Sequence, residues 1–220
     1  MSAEIHLETA KRQMLGQQIR AWEVFDERVL SAIESVPRER FVPSEFRELA
    51  FADIEIPLPH GQRMMAPKVE GRLLQALQLE ASDRVLEIGT GSGYLTACLG
   101  RLAGEIVSVE YFPDMVESAR AKLAEITDID VELRAADAMT LDYSAEFDAI
   151  AVTGSVPELD DHFIRMLRPG GRLFIIVGRA PVMEARLVRM HHGGRWTEES
   201  LFETLITPLI NAERSEPFVL

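Results

Sequence analysis

The feature that most constrains this chain is a run of alternating glycines that directly follows a short apolar segment. Val85, Leu86 and Ile88 form the apolar segment. The glycines lie within Gly89–Gly93, and an apolar pattern with helical spacing begins at Leu95. This order predicts a buried strand, a turn and a helix. Because residues without a Cβ let the backbone approach a ligand, and the first N–H groups of a helix have no intrahelical partner, the turn predicts a ligand site.

The spacing of the glycines separates the common ligand classes. A dinucleotide-binding turn would carry its third glycine one place later than Gly93, and a P-loop would close with Gly-Lys-Ser or Gly-Lys-Thr, where this chain has Tyr94. With Glu87 inside the strand, the segment reads E-x-G-x-G-x-G and resembles the first motif of Rossmann-like class I methyltransferases, which bind S-adenosyl-L-methionine. For the glycine run alone, a structural turn and a different nucleotide are the alternatives.

Two further acidic residues stand where strands are predicted to end. Glu110 closes an apolar run about twenty residues beyond the glycines, where a nucleotide-binding unit places a carboxylate for the ribose hydroxyls. Asp137 follows a third strand candidate, Val131–Ala135, and the methyltransferase resemblance implies that it lies near the adenine amino group. An ordinary surface acid and a turn residue are the alternatives. The predicted cofactor-binding residues are Glu87, Gly89, Thr90, Gly91, Ser92, Gly93, Glu110, Tyr111, Asp137 and Ala138.

The rest of the chain continues the alternation of strands and helices. Phe147–Val152 predicts a fourth strand with Thr-Gly-Ser at its carboxyl end, Pro157–Leu167 a helix, and Arg172–Val177 a fifth strand. Met183–Met190 and Trp196–Ile206 flank a His-His-Gly-Gly turn and predict an antiparallel pair at the sheet edge. The predicted fold is therefore α/β and Rossmann-like, with a mostly parallel seven-stranded sheet, helices on both faces and an antiparallel C-terminal hairpin.

The first part of the chain predicts a helical extension. Apolar residues recur at helical spacing up to Trp22, and Asp26 is a good N-cap for a second helix that Pro37 stops. Residues 52–67 lose this periodicity and predict a long ordered loop, which precedes a helix over Lys68–Leu79. We expect residues 1–80 to pack on a methyltransferase core of residues 81–220 and to form one compact unit with it.

The composition limits which partners are expected. A formal net charge of −13 argues against binding of nucleic acid or an anionic membrane through the overall field. The single cysteine, Cys98, falls on the apolar face of a predicted helix, which predicts a buried structural thiol. His191 and His192 lack an accompanying cysteine or carboxylate set, so no metal site is expected. The polar start of the chain makes the cytoplasm the default location, and nothing in the sequence indicates an oligomeric state.

Several segments in chain order make the resemblance more specific. The similarity to protein-L-isoaspartate O-methyltransferases covers GQQIRAWEVFDERVLSAIESVPRERFVP, FADIEIPLPHGQ, VLEIGTGSGYLTACL and LRPGGRLFIIVG. The helical segment is the informative part, because many methyltransferases share the glycine motif. The resemblance implies transfer of a methyl group from S-adenosyl-L-methionine to the α-carboxylate of isoaspartyl residues. The product S-adenosyl-L-homocysteine is released, and the ester begins the repair of damaged proteins.

One loop departs from the pattern of this family. After His-Gly-Gln the family continues Thr-Ile-Ser-x-Pro, with the serine beside the methyl donor and the accepting carboxylate. Here Arg63 takes the threonine place and Met65 the serine place. A methionine cannot donate a hydrogen bond to a carboxylate, and its bulk would fill the volume of the serine hydroxyl. The guanidinium of Arg63 could clamp a carboxylate or phosphate, and a solvated surface arginine is the alternative. The acceptor-side candidates are His60, Gln62, Arg63, Met64 and Met65.

This departure leaves more than one function open. The first is a methyltransferase that has kept the isoaspartyl substrate. The second is an enzyme that uses S-adenosyl-L-methionine on another acceptor, either a small molecule or a different protein site. The third is a non-catalytic homologue that only binds the cofactor or its product. The intact glycine motif favours an enzyme, and no residue is assigned a catalytic role.

Overall fold

The computed structural model describes residues 2–126 and 130–212. Residue 1 of the predicted extension, and residues 127–129 and 213–220 of the predicted 81–220 unit, lie outside the described part. The strands are β1 (Ile56–Pro57), β2 (Arg63–Met64), β3 (Arg84–Ile88), β4 (Glu105–Glu110), β5 (Val131–Ala135), β6 (Phe147–Val156), β7 (Leu167–Arg179), β8 (Val182–Met190) and β9 (Trp196–Thr204). The α-helices are α1 (Ser2–Gln13), α2 (Glu27–Ser35), α3 (Pro67–Leu77), α4 (Tyr94–Gly100), α5 (Pro113–Leu123) and α6 (Asp161–Ile164).

One seven-stranded sheet organises the molecule, in the order β5-β4-β3-β6-β7-β8-β9. The first five strands in this order run parallel to one another, and β8 runs antiparallel to both of its neighbours. The predicted mostly parallel sheet with an antiparallel C-terminal hairpin is confirmed. The chain moves outward from β3 to β5 and then returns to β6 on the other side. The carboxyl ends of β3 and β6 therefore form the switch point at which open α/β sheets bind their ligands.

The central strand β3 explains why its sequence is a continuous apolar run. Val85 packs with Leu74 and Leu99 in one apolar core, whereas Leu86 and Ile88 belong to a second core that contains residues of α6. Successive side chains of a strand point to opposite faces, so a strand buried on both faces needs apolar residues throughout. Helices cover both faces of the sheet, as predicted.

The N-terminal elements pack into the first of these cores. A π-helical turn, Met14–Ile19, and a 3-10 turn continue from α1, and Met14 and Ile19 are fully buried. The side chain of Asp26 accepts a hydrogen bond from the Arg28 backbone N–H at 2.9 Å, which confirms the predicted N-cap of α2. Pro67 occupies the first turn of α3, so this helix starts one residue before its predicted beginning.

The predictions for the segment after β6 are partly wrong. The helix expected over Pro157–Leu167 is only the single turn α6, and Asp160 caps it by accepting a hydrogen bond from the His162 backbone N–H at 2.8 Å. β6 and β7 are both longer than predicted. β6 continues to Val156 because it pairs there with β7, and β7 is extended by the pairing of Leu167 with β6 and of Gly178 and Arg179 with β8. Pairing with a neighbour, rather than the apolar pattern of one segment, sets these boundaries. In the described part of the chain, no helix is long and apolar enough to cross a membrane.

Candidate functional site

A cleft of about 660 Å³ opens at the switch point of the sheet. One side, which we call the glycine wall, comprises Gly89, Gly91, Glu110 and Tyr111. The opposite side includes Gln62 and Arg63 from loop 59–67, the aperiodic segment between β1 and α3. Thr153 and Gly154 of β6 also line it, as do Ala136 and Ala138 after β5. The cleft therefore brings together the glycine run and the loop that the sequence analysis singled out separately.

The glycine turn is held in a shape that other residues would disturb. Gly89 has a φ of +93°, and a Cβ placed there would lie 2.2 Å from the Thr153 hydroxyl oxygen. That hydroxyl donates a hydrogen bond to the carbonyls of Ile88 and Gly89, at 2.8 and 2.9 Å. Gly93 is the N-cap of α4 and has a φ of +88°, a left-handed conformation that favours glycine. The turn thus forms a cradle in which backbone, and not side chain, faces the cleft.

Glu110 ties this turn to the end of β4. One oxygen of its buried carboxylate accepts a hydrogen bond from the Gly91 N–H at 2.9 Å, and the other accepts from the Phe112 N–H at 3.1 Å. A carboxylate offers about four lone-pair sites, so each oxygen can accept a further hydrogen bond. Glu110 is therefore placed to fix the turn and to receive hydroxyl donors from a ligand at the same time.

Glu87 lies behind the turn and is fully buried. One of its oxygens accepts hydrogen bonds from the Thr96 and Ser108 hydroxyls, and Ser108 is itself hydrogen-bonded to Thr90 at 2.6 Å. The other oxygen, Oε1, has no hydrogen-bond partner among the described residues. Burial raises the pKa of Glu87 to about 8, although the two hydroxyls oppose this shift. Glu87 therefore supports the turn from beneath.

Two further predicted cofactor-binding residues, Tyr111 and Ser92, differ in their exposure to solvent. Tyr111 is exposed and lines the cleft, whereas Ser92 is buried and its hydroxyl accepts a hydrogen bond from the Tyr94 N–H at 3.3 Å. Ser92 therefore helps to start α4, and its contact is with the backbone of that helix.

Asp137 caps a turn, which is one of the alternatives that the sequence analysis left open for it. Its Oδ1 accepts a hydrogen bond from the Met139 N–H at 2.9 Å, and its Oδ2 accepts one from the Asn211 side chain at 2.8 Å. These bonds cap a 3-10 turn and attach the segment that follows β9. The neighbours Ala136 and Ala138 line the cleft on either side of it.

Loop 59–67 directs its side chains to two sides. His60 and Gly61 adopt left-handed backbone conformations, with φ values of +58° and +70°, and reverse the chain between β1 and β2. Alternation along β2 then leaves Arg63 exposed and Met64 buried. Met65, at the place where the family has serine, is 5% exposed and belongs to the apolar core. The loop therefore presents Arg63 to the cleft, while both methionines pack inward.

His60 fastens the tip of this loop to α5. Its Nε2 lies 2.8 Å from Asp114 Oδ2, and its ring stacks on Phe112 with 4.1 Å between centroids. The hydrogen bond from His60 lowers the pKa of the Asp114 carboxyl. Because Phe112 also donates its N–H to Glu110, this contact connects the loop to the glycine wall. The Gln62 side chain donates to the His60 carbonyl at 3.3 Å and completes the turn.

A buried arginine behind the loop was not identified from the sequence. The Arg38 guanidinium donates to the Met65 carbonyl and to the Ala50 carbonyl, each at 2.8 Å, and forms an ion pair with Glu70. Arg38 and Glu70 are 1% and 2% exposed. Burial raises the pKa of Glu70 to about 7, and the nearby Arg38 opposes this shift. A usable signal was present, because Glu70 precedes Leu73 and Leu74 by helical spacings and so falls on the apolar face of α3.

A second cleft of about 1010 Å³ adjoins the first. The two clefts share Arg63 and the segment Ile206–Pro208, which follows β9. Pro157, Ala180, Met183 and Leu205 give the second cleft a largely apolar lining. Arg63 therefore stands at the boundary between the cleft beside the glycine turn and a neighbouring, mostly apolar space.

Two predictions about reactive side chains concern residues away from these clefts. Cys98 is buried, as predicted, and burial raises the pKa of its thiol. The His191 ring lies 2.9 Å from the Thr197 hydroxyl at the base of the β8-β9 hairpin. No group of three or more histidine, cysteine or acidic side chains in residues 2–126 and 130–212 is arranged to hold a metal ion.

Comparisons with solved structures support the fold. A structure from Plasmodium falciparum, described as a protein-L-isoaspartate O-methyltransferase in complex with S-adenosyl-L-homocysteine, aligns with a TM-score of 0.74 at 20% sequence identity. The alignment covers 90% of this chain and 96% of that one. A second structure named protein-L-isoaspartate O-methyltransferase aligns with a TM-score of 0.76 at 22% identity, over 90% of this chain and 65% of the other.

Sequence comparisons identify the family. A relative from Rhodopseudomonas palustris named protein-L-isoaspartate O-methyltransferase is 38% identical over 203 residues, which are 91% of this chain and 93% of the relative. A relative of the same name from Myxococcus xanthus is 43% identical over 70% of this chain and 73% of its own length. The sequence model of the protein-L-isoaspartate (D-aspartate) O-methyltransferase family matches residues 9–214. The chain belongs to this family, which comprises methyltransferases that use S-adenosyl-L-methionine.

Proposed function

We propose that this protein transfers the methyl group of S-adenosyl-L-methionine to the free carboxylate of isoaspartyl residues in polypeptides. The observation that carries this proposal is a single cleft at the switch point, in which the glycine wall faces loop 59–67. A methyl donor and a methyl acceptor must meet in one site, and this cleft offers a backbone cradle beside a loop with an exposed cation. Membership of the family supplies the reaction class.

The glycine wall fits the cofactor. A Cβ at residue 89 would lie too close to the Thr153 hydroxyl, so the cradle requires glycine at this position. We assign the ribose hydroxyls to Glu110, whose carboxylate keeps acceptor sites beyond its two backbone bonds. Tyr111 of the glycine wall, together with Ala136 and Ala138 after β5, lines the part of the cleft where the adenine would lie. Glu87 and Asp137 contribute by holding the turn and the segment after β5 in place.

The reaction makes modest demands on the protein. S-adenosyl-L-methionine supplies a methyl group on a positively charged sulfur. A carboxylate is already ionised and needs no base, so the protein must chiefly bring its oxygen into line with the methyl carbon and exclude water. The absence of the family serine at Met65 therefore removes an orienting donor and leaves the chemistry viable. Loss of one such hydrogen bond costs on the order of a hundredfold in rate.

A different acceptor is the second candidate function, and the observation that favours it is the buried Met65 at the serine place. The test measures transfer of labelled methyl to a peptide with one isoaspartyl residue, with the aspartyl isomer as control. Turnover of the isoaspartyl peptide alone would support the proposed function. Intact cofactor binding without turnover would show that the acceptor has changed, and failure to bind the cofactor would indicate a non-catalytic homologue.

The Met65→Ser variant, assayed alongside, tests what the methionine replaced. Because the Met65 side chain packs in the apolar core, we expect the variant to lose stability by about 2–4 kcal/mol. We expect no gain in turnover, since the cation of loop 59–67 and not residue 65 lines the cleft. A faster variant would contradict this expectation and would place the hydroxyl beside the reacting groups.

We further propose that residues 1–80 and 81–220 act as one unit in the cytoplasm, on polypeptides and not on nucleic acid. The net charge of −13 supports the choice of partner. One apolar cluster that contains Met14, Ile33, Leu99 and Phe174 supports the single unit. The fluorescence of Trp22 and Trp196, followed separately in variants that retain only one of them, should report the same unfolding midpoint. Two distinct midpoints would contradict the single unit.

A further inference from the structure

The Arg63 guanidinium lies at the boundary of the two clefts with its donors unused. It makes no hydrogen bond to any described residue, and its nearest acid is Glu55, 3.8 Å from Nε. The Arg63 side chain is 49% exposed. An arginine presents five N–H donors in a fixed fork that suits a carboxylate, and most arginines in this chain use theirs on carboxylates or carbonyls of the fold. Arg63 is therefore held by β2 and by a long ion pair with Glu55, and its hydrogen-bond donors remain available to a ligand.

Ser155 lines the second cleft and carries a hydroxyl that the fold leaves unsatisfied. The residue is 1% exposed, and its Oγ has no hydrogen-bond partner in the described residues. Its backbone is fixed on both sides, because the Ser155 N–H donates to the Thr207 carbonyl at 3.1 Å and its carbonyl accepts from the Leu209 N–H at 2.9 Å. A buried hydroxyl without a partner is costly, so its presence at a binding surface points to a ligand that satisfies it.

Both residues line the second cleft. Ser155 lies at the carboxyl end of β6, two residues beyond Thr153 of the first cleft, and Arg63 borders both clefts. We propose that Arg63 and Ser155 bind the carboxylate of the methyl acceptor where the second cleft meets the first, an assignment that rests on the proposed function. The isoaspartyl carboxylate is the occupant, and the apolar lining accommodates the flanking polypeptide.

The assignment has a definite consequence for the chemistry. Arg63 and Ser155 donate to one carboxylate oxygen, and the other oxygen forms the new bond to the methyl carbon. The bond between sulfur and that carbon breaks, and its electron pair remains on sulfur. The carboxylate charge and the sulfonium charge cancel in this step, and no proton moves. Because the acceptor loses its charge on the way to the ester, Arg63 binds the ground state more tightly than the transition state, and its removal raises KM without lowering kcat.

The test uses the full-length protein and an isoaspartyl hexapeptide, with labelled S-adenosyl-L-methionine. Arg63→Gln should raise the peptide KM at least about tenfold, and Ser155→Ala by about three- to tenfold, as expected for a charged and a neutral hydrogen bond. The two effects should be less than additive, because both residues hold one group. The dissociation constant of S-adenosyl-L-homocysteine should change less than about twofold. Ser155→Ala should leave the thermal unfolding midpoint unchanged or raise it, since it removes an unsatisfied hydroxyl.

Arg179→Gln is the matched control. Arg179 lines the same second cleft and carries the same charge, but it belongs to β7 and lies 3.9 Å from Glu158. An equal rise of KM in Arg179→Gln would show that only the overall field matters and would overturn the assignment of Arg63. Unchanged KM in Arg63→Gln and Ser155→Ala, with an active wild type, would overturn the inference and leave the proposed function intact. An inactive wild type that still binds S-adenosyl-L-homocysteine would overturn both.

Discussion

The glycine wall and loop 59–67 face each other across one cleft but are held in place by different means. On the glycine wall, the residues that set the shape are close in sequence or lie on adjacent strands. Gly89 fits against Thr153 of β6, and Gly91 donates to Glu110 of β4. Loop 59–67 depends on groups that come from distant parts of the chain. The carbonyl of Met65 is held by Arg38, which lies 27 residues earlier.

This difference indicates which side of the cleft can accept substitutions without loss of the fold. A wall made of backbone torsions and strand pairing tolerates few substitutions, because each residue is constrained by its own conformation. A loop held from behind by a buried ion pair can change its exposed side chains freely, provided that the ion pair stays. Arg63 varies from the family pattern at such an exposed position, whereas Met65 varies at a buried one, and the glycine run keeps the pattern. The predictions below separate these two kinds of support.

The largest effect is expected from Arg38→Met. The substitution leaves Glu70 buried without its partner and the Met65 carbonyl without its donor, so the free energy of unfolding should fall by about 3–5 kcal/mol at pH 8. Urea unfolding measures this loss. In the folded fraction, the acceptor KM should rise while affinity for S-adenosyl-L-homocysteine stays within about threefold. A large loss of cofactor affinity would show that the two walls are not independent.

Arg20→Met is the control for this variant. Arg20 pairs with Glu27 at 3.1 Å, but both side chains are exposed. Solvent screens such a pair, so its removal should cost less than about 1 kcal/mol. A comparable loss in both variants would mean that burial of the Arg38–Glu70 pair is not what makes it important.

A somewhat smaller effect on stability is expected from Gly89→Ala. The new Cβ would meet the Thr153 hydroxyl at 2.2 Å at a φ of +93°. We expect a loss of about 1–3 kcal/mol in stability, together with loss of measurable S-adenosyl-L-homocysteine binding in calorimetry. Gly193→Ala is the matched control, because Gly193 has a φ of +89° but nothing within 4 Å of the added Cβ. Retained cofactor binding in Gly89→Ala would refute the cradle.

Glu110→Ala tests the ribose assignment on the same wall. Removal of a charged acceptor should weaken S-adenosyl-L-homocysteine binding by about 1–3 kcal/mol, measured by titration calorimetry. Glu105→Ala is the control, since Glu105 begins the same strand and is exposed in an ion pair with Arg84. An unchanged dissociation constant in Glu110→Ala would exclude a contact with the ribose hydroxyls.

The smallest expected effect is the change in the free energy of unfolding per pH unit that Glu87 causes. Its folded-state pKa of about 8 lies above the usual value, so the folded protein holds a proton that the unfolded chain has lost. Its contribution therefore lowers the free energy of unfolding as pH rises from about 4.5 toward 8, by at most about 1.4 kcal/mol per pH unit. Subtracting the curve of Glu87→Gln from that of the wild type isolates this slope from other groups. Parallel curves would contradict the raised pKa.

The same contrast explains how much could be predicted from the sequence. Apolar runs predict β3 and β4 because both strands are buried on both faces, and Asp26 predicts the start of α2 because capping is local. The ends of β6 and β7 could not be predicted, since the end of β6 is set by pairing with β7 and the end of β7 by pairing with β8. Arg38 could not be singled out because its partner Glu70 is brought to it only by folding. Ser155 could not be singled out because only the folded structure shows that its buried hydroxyl has no hydrogen-bond partner among the described residues. The assigned roles of the cofactor-side residues remain predictions.

The edge of the sheet formed by β9 affects how this protein meets other polypeptide chains. β9 lies at that edge and carries Glu198, Glu199 and Glu203. An edge strand offers unpaired N–H and carbonyl groups to any extended segment, and closely spaced charges discourage that pairing. Aged polypeptides, the proposed substrates, expose such segments when they lose structure. The acidic side chains of β9 therefore disfavour the addition of such a segment to this edge of the sheet.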